Sequence, residues 1–158
     1  MVQVSIEYMI MVPVLIAQIF LFPMVASVIM NNWVDSRRTI AIQEIASHLS
    51  SSLQQVYSSL NHETIAAGKV SSLLDLPSYI EDYSYRGNAT LHMVGSSANG
   101  SKVLEITLWY VGVKVSTTAT ATFGNNMEWT NTNFVSNATS PSIVAVKQSN
   151  GTIRMSFG

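Results

Sequence analysis

The sequence predicts an α+β fold: one long N-terminal α-helix packed against a small antiparallel β-sandwich or sheet domain. Three observations carry that expectation. No charged side chain occurs between Glu7 and Asp35, and no Gly or Pro between Met24 and Asn61. Ile42, Ile45, Leu49, Leu53, Val56 and Leu60 recur at spacings of three and four, the apolar stripe of an amphipathic helix. Beyond Pro77 the apolar period falls to two, the signature of half-buried strands. At 158 residues the chain has room for one modest domain and an extension.

The helix comes first. Hydrophobic residues make up 47% of the chain and charged ones 11%, against about 25% charged in soluble domains. The apolar excess is concentrated in residues 8–34. As a helix this run is about 40 Å long at ~1.5 Å per residue, which exceeds the roughly 30 Å hydrocarbon core of a bilayer. On length and composition alone it reads as a single-pass membrane anchor. A secretory signal peptide would have a basic front and a shorter apolar run. Pro13 and Pro23 interrupt the segment, each freeing a carbonyl one turn earlier, on Met9 and Ile19. The simplest reading is one helix from about Val4 to about Leu60, with residues 1–60 as the first region. Its first half is apolar all round and suits lipid or copies of itself. Its second half is apolar on one side and suits a small domain.

Charge topology adds an expectation about processing. Arg37 and Arg38 follow the run and nothing basic precedes it. By the positive-inside rule this would leave the C-terminal region in the cytoplasm, although that region reads as extracellular. A basic leader, present in the precursor and removed, resolves the conflict.

Residues 61–82 read as a connector punctuated by Gly68 and Pro77, with Val70–Leu76 as a short helical turn. Residues 83–158 read as a β-rich head. Leu104, Ile106, Leu108 and Tyr110 alternate with Glu105, Thr107 and Trp109, and Ser116–Thr122 is a Thr/Ala run of high β-propensity. Ile143–Val146 and Ile153–Phe157 flank an Asn150-Gly151 hairpin signal. Trp109 and Trp129 are expected in the domain core, and Trp33 at an interface. Four Asn-X-Ser/Thr triplets, at Asn88, Asn99, Asn137 and Asn150, all fall in the head. They are glycosylation candidates if this region is outside the cell, although a chain rich in Ser, Thr and Asn also yields such triplets by composition.

Chemistry-bearing constellations are absent from the sequence. There is no cysteine, hence no disulfide or thiolate chemistry. His62-Glu63 begins like a zinc-protease motif, but Ala66 stands where the second His belongs. Phosphate loops, nucleophile elbows and dinucleotide fingerprints are missing, so neither catalytic residues nor a cofactor nor a metal is expected. A net charge of −1 gives no reason to expect a nucleic-acid partner.

Gln3-Val4-Ser5-Ile6-Glu7-Tyr8 stands directly before the apolar run. It resembles the Gln-x-Ser-x-Glu-Tyr motif of archaeal type IV pilins, the family with class III signal peptides. Leu76-Pro77-Ser78-Tyr79-Ile80, followed by Tyr83 and Tyr85, is similar to the helix-to-sheet crossing of such subunits. The resemblance implies a processing motif at Gln3, Ser5, Glu7 and Tyr8, with a prepilin peptidase cutting before Gln3. It implies storage in the cytoplasmic membrane, an assembly platform, and a helical homopolymer on the cell surface. Met9, Val12, Ile16, Phe20, Met24 and Val28 would then form the filament core. Glu7 would register subunits by pairing with a neighbour's terminal amine, as a buried carboxylate needs a cationic or hydrogen-bonding partner. The sequence lacks the Gly-Ile opening of archaellins, which favours an adhesive pilus over a swimming filament. The competing expectation is a monomeric, membrane-anchored extracellular binding domain.

Overall fold

In the computed structural model, residues 2–94, 100–130 and 132–158 are described, with side chains from Glu7 onward. Helix α1 runs from Val2 to Leu60, through Pro13 and Pro23 and without a break at Asn31–Asn32. Eight strands follow: β1 (Gly68–Leu73), β2 (Tyr85–Val94), β3 (Ser101–Tyr110), β4 (Ser116–Phe123), β5 (Met127–Trp129), β6 (Phe134–Val135), β7 (Ser142–Lys147) and β8 (Ile153–Phe157). The α+β class is as the periodicities predict. The chain divides into two compact units, Met1–Arg37 and Arg38–Gly158, so the division falls inside α1.

The larger unit contains two four-stranded sheets, ordered β1-β7-β8-β5 and β4-β3-β2-β6. Their core is continuous with the predicted stripe of α1. Ile42, Leu49 and Leu53 are fully buried together with Leu104, Ile106, Leu108, Ile143, Ile153 and Met155. Polar contacts fix the helix along β4. Ser50 Oγ donates to Thr120 O (2.8 Å), and the Thr117 hydroxyl donates to Gln43 Oε1. Tyr57 OH donates to Asn126 Oδ1 (2.6 Å) and accepts the Gly124 N–H (3.1 Å). An added Cβ at Gly124 would lie 2.5 Å from that hydroxyl, so any larger residue would displace the Tyr57 side-chain tip.

Three expectations need correction. Val70–Leu76 is not a helical turn: β1 occupies most of it, pairing antiparallel with β7 from Gly68↔Lys147 to Leu73↔Ser142. Its residues find ladder partners 69 to 79 positions later, beyond the reach of local periodicity. The predicted connector 61–82 thus contributes a strand to a sheet. The sheets are antiparallel-rich as expected, with β5 on β8 as the one parallel pairing among the described strands. Trp109 is only half-buried and lies opposite Arg86 on the outward side of β3, where the alternation itself assigns it. Trp129 does pack against the core, edge-to-face with Phe157 at 5.0 Å.

Two turns differ in kind. Between β7 and β8 the Asn-Gly signal is fulfilled by a three-residue loop, Ser149–Gly151. Gly151 takes the left-handed conformation (φ 85°) and Asn150 Oδ1 accepts the Thr152 N–H at 3.0 Å. The second turn was not visible in the sequence. Ile80 and Tyr83 exchange two backbone hydrogen bonds of 3.0 Å across Glu81 and Asp82, whose φ values are 48° and 66°. Two consecutive positive φ values are the geometry of a type I′ turn, which favours Asn-Gly over Glu-Asp.

Candidate functional site

The smaller unit is one helical segment with an apolar surface. Met9 (80% exposed), Val12, Ile16, Phe20, Met24 and Val28 all face outward. So do Ile10, Leu15, Ile19, Phe22 and Ile29 on its other sides. Helical geometry spreads residues at successive 100° steps, and from Tyr8 to Met30 only Gln18 and Ser27, half a turn apart around the axis, are polar, so the run has no hydrophilic face to turn to water. Among the described residues, α1 is the one helix long and apolar enough to cross a membrane. At the end of the run Arg37 lies over the Trp33 ring, 4.9 Å from its centroid, a stacking that partly shields the indole.

The proposed processing motif lies at the start of α1. Glu7 and Tyr8 are exposed on it, beside Ile10 and Met11. Gln3 and Ser5 are helical in backbone, and their side chains lie outside the described residues.

The glycosylation candidates separate in the structure. Asn137 is exposed in the turn after β6, and Asn150 is exposed at the β7–β8 turn. Asn88 is half-buried on the outward side of β2, opposite Thr107. Asn99 lies outside the described residues.

Two clusters in the larger unit were missed by sequence reasoning. The first surrounds the Glu81-Asp82 turn. Arg38 Nε donates to Glu81 Oε2 (3.0 Å), and its guanidinium lies 5.1 Å from the Tyr83 ring centroid. Tyr83 meets Tyr110 edge-to-face, and Tyr110 OH donates to Arg38 O (3.1 Å). Burial pushes the Tyr110 hydroxyl above its ordinary value, Glu81 adds to the rise, and Arg38 opposes it. These contacts hold the turn in its uncommon backbone conformation. The second cluster is a cleft of about 590 Å³ where the ends of β2 and β3 meet β5, lined in part by Lys102, Trp129 and Arg154. Neither had a motif to find: each joins residues separated by 25 positions or more.

Among the described residues there is no group of three or more His, Asp or Glu placed to hold a metal ion. No protein-family model matches the sequence, and neither a curated protein nor a solved structure shows significant similarity to it.

Proposed function

We propose that this chain is the structural, non-catalytic subunit of an extracellular filament of the archaeal type IV pilus kind, acting in surface adhesion. The observation that carries the reading is the exposed apolar surface of residues 8–30, flanked by Glu7. Left in water, that surface would cost on the order of tens of kcal/mol at ~25 cal/mol per Å². Lipid covers it before assembly and other copies cover it afterwards. Met9, Val12, Ile16, Phe20, Met24 and Val28 form the filament core, and Glu7 registers neighbouring subunits. The partners are copies of the chain, a prepilin peptidase and an assembly platform. A monomeric membrane-anchored domain is the second reading, supported by the fit of the same segment to a bilayer.

Electron microscopy of sheared surface material separates the two readings. Filaments are expected in which residues 8–30 of adjacent copies lie against one another. A particle in which those residues meet lipid or detergent instead would establish the anchored monomer. Glu7→Ala should abolish filaments while leaving membrane-fraction protein unchanged; normal filaments from this variant would remove Glu7 from subunit registration.

A further inference from the structure

β1 is the outermost strand of its sheet, and hydrogen bonds at the strand ends fix which way its backbone groups point. Ser142 and Gly158 exchange two bonds (3.2 and 2.9 Å), and Gln148 N donates to Thr152 O (2.8 Å), so the even-numbered residues of β7 face β8. The odd-numbered ones face β1, in line with Leu74 N donating to Pro141 O (2.9 Å). Through the register, Ile143, Ala145 and Lys147 therefore bond Ser72, Val70 and Gly68. Lys69, Ser71 and Leu73 are left with their N–H and C=O groups directed away from the sheet. None of the three bonds to another backbone group on that side among the described residues.

The other edges are short or covered. β5 and β6 have three and two residues. β4 is screened by α1, where Ser50 Oγ donates to Thr120 O. Open edges in soluble proteins are commonly blunted by a proline, a bulge or a covering loop. β1 has no proline, its ladder is unbroken over six residues, and its outward side chains Lys69, Ser71 and Leu73 are exposed, Leu73 by 74%.

We propose that β1 pairs antiparallel with β1 of a second copy, about a two-fold axis at Ser71. In this register Ser71 lies opposite the partner's Ser71, and Lys69 lies opposite the partner's Leu73. The three N–H and three C=O groups of each edge are then all used, and the two four-stranded sheets become one continuous sheet. A slip of two residues either way moves one member of a bonded pair off the strand. The side chains agree with the same register. The aliphatic stem of Lys69 covers the exposed Leu73 of the partner, and its ammonium reaches diagonally toward the partner's Asp75, two positions beyond Leu73. Lys69 and Asp75 are both exposed, and neither is in an ion pair among the described residues. A cation at the start of the strand and an anion just past its end are what an antiparallel copy of the same strand answers. A foreign strand would share the backbone bonds but not this pairing of ends.

The contact belongs to the head and forms with or without a filament. Its consequence in assembled material rests on the filament reading. Copies along one polar filament repeat head to tail, so a two-fold contact joins heads of neighbouring filaments, and many weak pairs in parallel hold them side by side.

The chain has no cysteine, so single introduced cysteines report one position at a time. The test uses full-length protein in detergent micelles under mild oxidation, with electron micrographs showing that no filaments are present. An absent dimer then counts against the pairing and not against polymerisation. Across a hydrogen-bonded antiparallel pair the Cα atoms are about 5.5 Å apart, within disulfide range. Ser71→Cys should therefore give a disulfide-linked dimer. Its yield should be at least about fivefold that of Ser72→Cys, which sits on the other face and a diagonal of about 7–8 Å from its counterpart. Thr118→Cys, exposed on β4, should be equally poor. Adding Lys69→Glu to Ser71→Cys should lower the yield about fivefold, and adding Asp75→Lys to that variant should restore it. Unchanged thermal melting shows that the variants fold. No dimer from Ser71→Cys, equal yields at the three positions, or no rescue by the charge exchange would each overturn the proposal. Crosslinking of Ser71→Cys to a different protein on intact cells, in place of the dimer, would also overturn it and assign the edge to another partner.

Discussion

Tyr85→Phe should reverse its effect on stability as pH rises. Tyr85 is fully buried at the start of β2, and its hydroxyl donates to Pro77 O at 2.7 Å. Burial, with a smaller contribution from Tyr110, pushes its pKa from 10.0 up to about 12. Near neutral pH the variant loses one hydrogen bond, at a cost of about 1–1.5 kcal/mol. The folded-state pKa lies above the unfolded one, so the neutral hydroxyl's contribution is complete below pH 10 and disappears as pH climbs toward 12. Two pH units correspond to about 2.7 kcal/mol in full, and about half of that is lost by pH 11. The phenylalanine variant has no such proton to lose. Its stability curve should therefore start below that of the parent and cross it near pH 11. Tyr110 is present in both proteins, so its own titration largely cancels in the difference. Urea denaturation of both proteins in the same detergent, followed by circular dichroism at intervals from pH 8 to 11.5, supplies the comparison. A stability difference that stays constant over this range would refute the reasoning.

Two further outcomes can be measured on the same material. Asp82→Gly should raise stability by roughly 0.5–1 kcal/mol, because an L-residue held in the left-handed region costs about 1–2 kcal/mol and glycine returns part of that gain as unfolded-chain entropy; a lower urea midpoint would show that the Asp82 side chain supports the turn. Intact-mass analysis of native protein should show glycans, with Asn137 and Asn150 occupied ahead of half-buried Asn88; a mass equal to the bare polypeptide would leave the triplets as products of composition.

The parts of the fold written in short-range order were legible. The α1 stripe, the alternation of β3 and the Asn150-Gly151 turn each depend on neighbours within a few residues, and each stands where periodicity puts it. The parts that depend on distant partners were not. β1 is exposed along nearly its whole length and has no alternating apolar face, so its strand character comes from the β7 ladder. β5 and β6 are too short, at three and two residues, to show a period. The Glu81-Asp82 turn contradicts local preference and is held by Arg38, 43 residues earlier. For the apolar segment the sequence and the structure carry the same information, since its apolar side chains are exposed all round the helix. The cleft is the opposite case: Lys102, Trp129 and Arg154 are unremarkable in sequence and meet only because two sheet ends converge.

Strand order also bears on how the protein is made. The sheet β4-β3-β2-β6 draws all its strands from residues 85–135 and can close while the chain is still emerging. The sheet β1-β7-β8-β5 cannot. β1 leaves the ribosome early, yet its neighbour β7 begins at Ser142, and β8 ends one residue before Gly158. In a chain synthesised from its N-terminus, the first strand's sheet closes only after β7 and β8 have been made, about 70 positions later. Until then β1 is open along both edges and a pairing hazard. A chain interrupted before Ser142 should therefore leave β1 without its ladder partner and the head prone to aggregate, so that late synthesis guards the earliest strand.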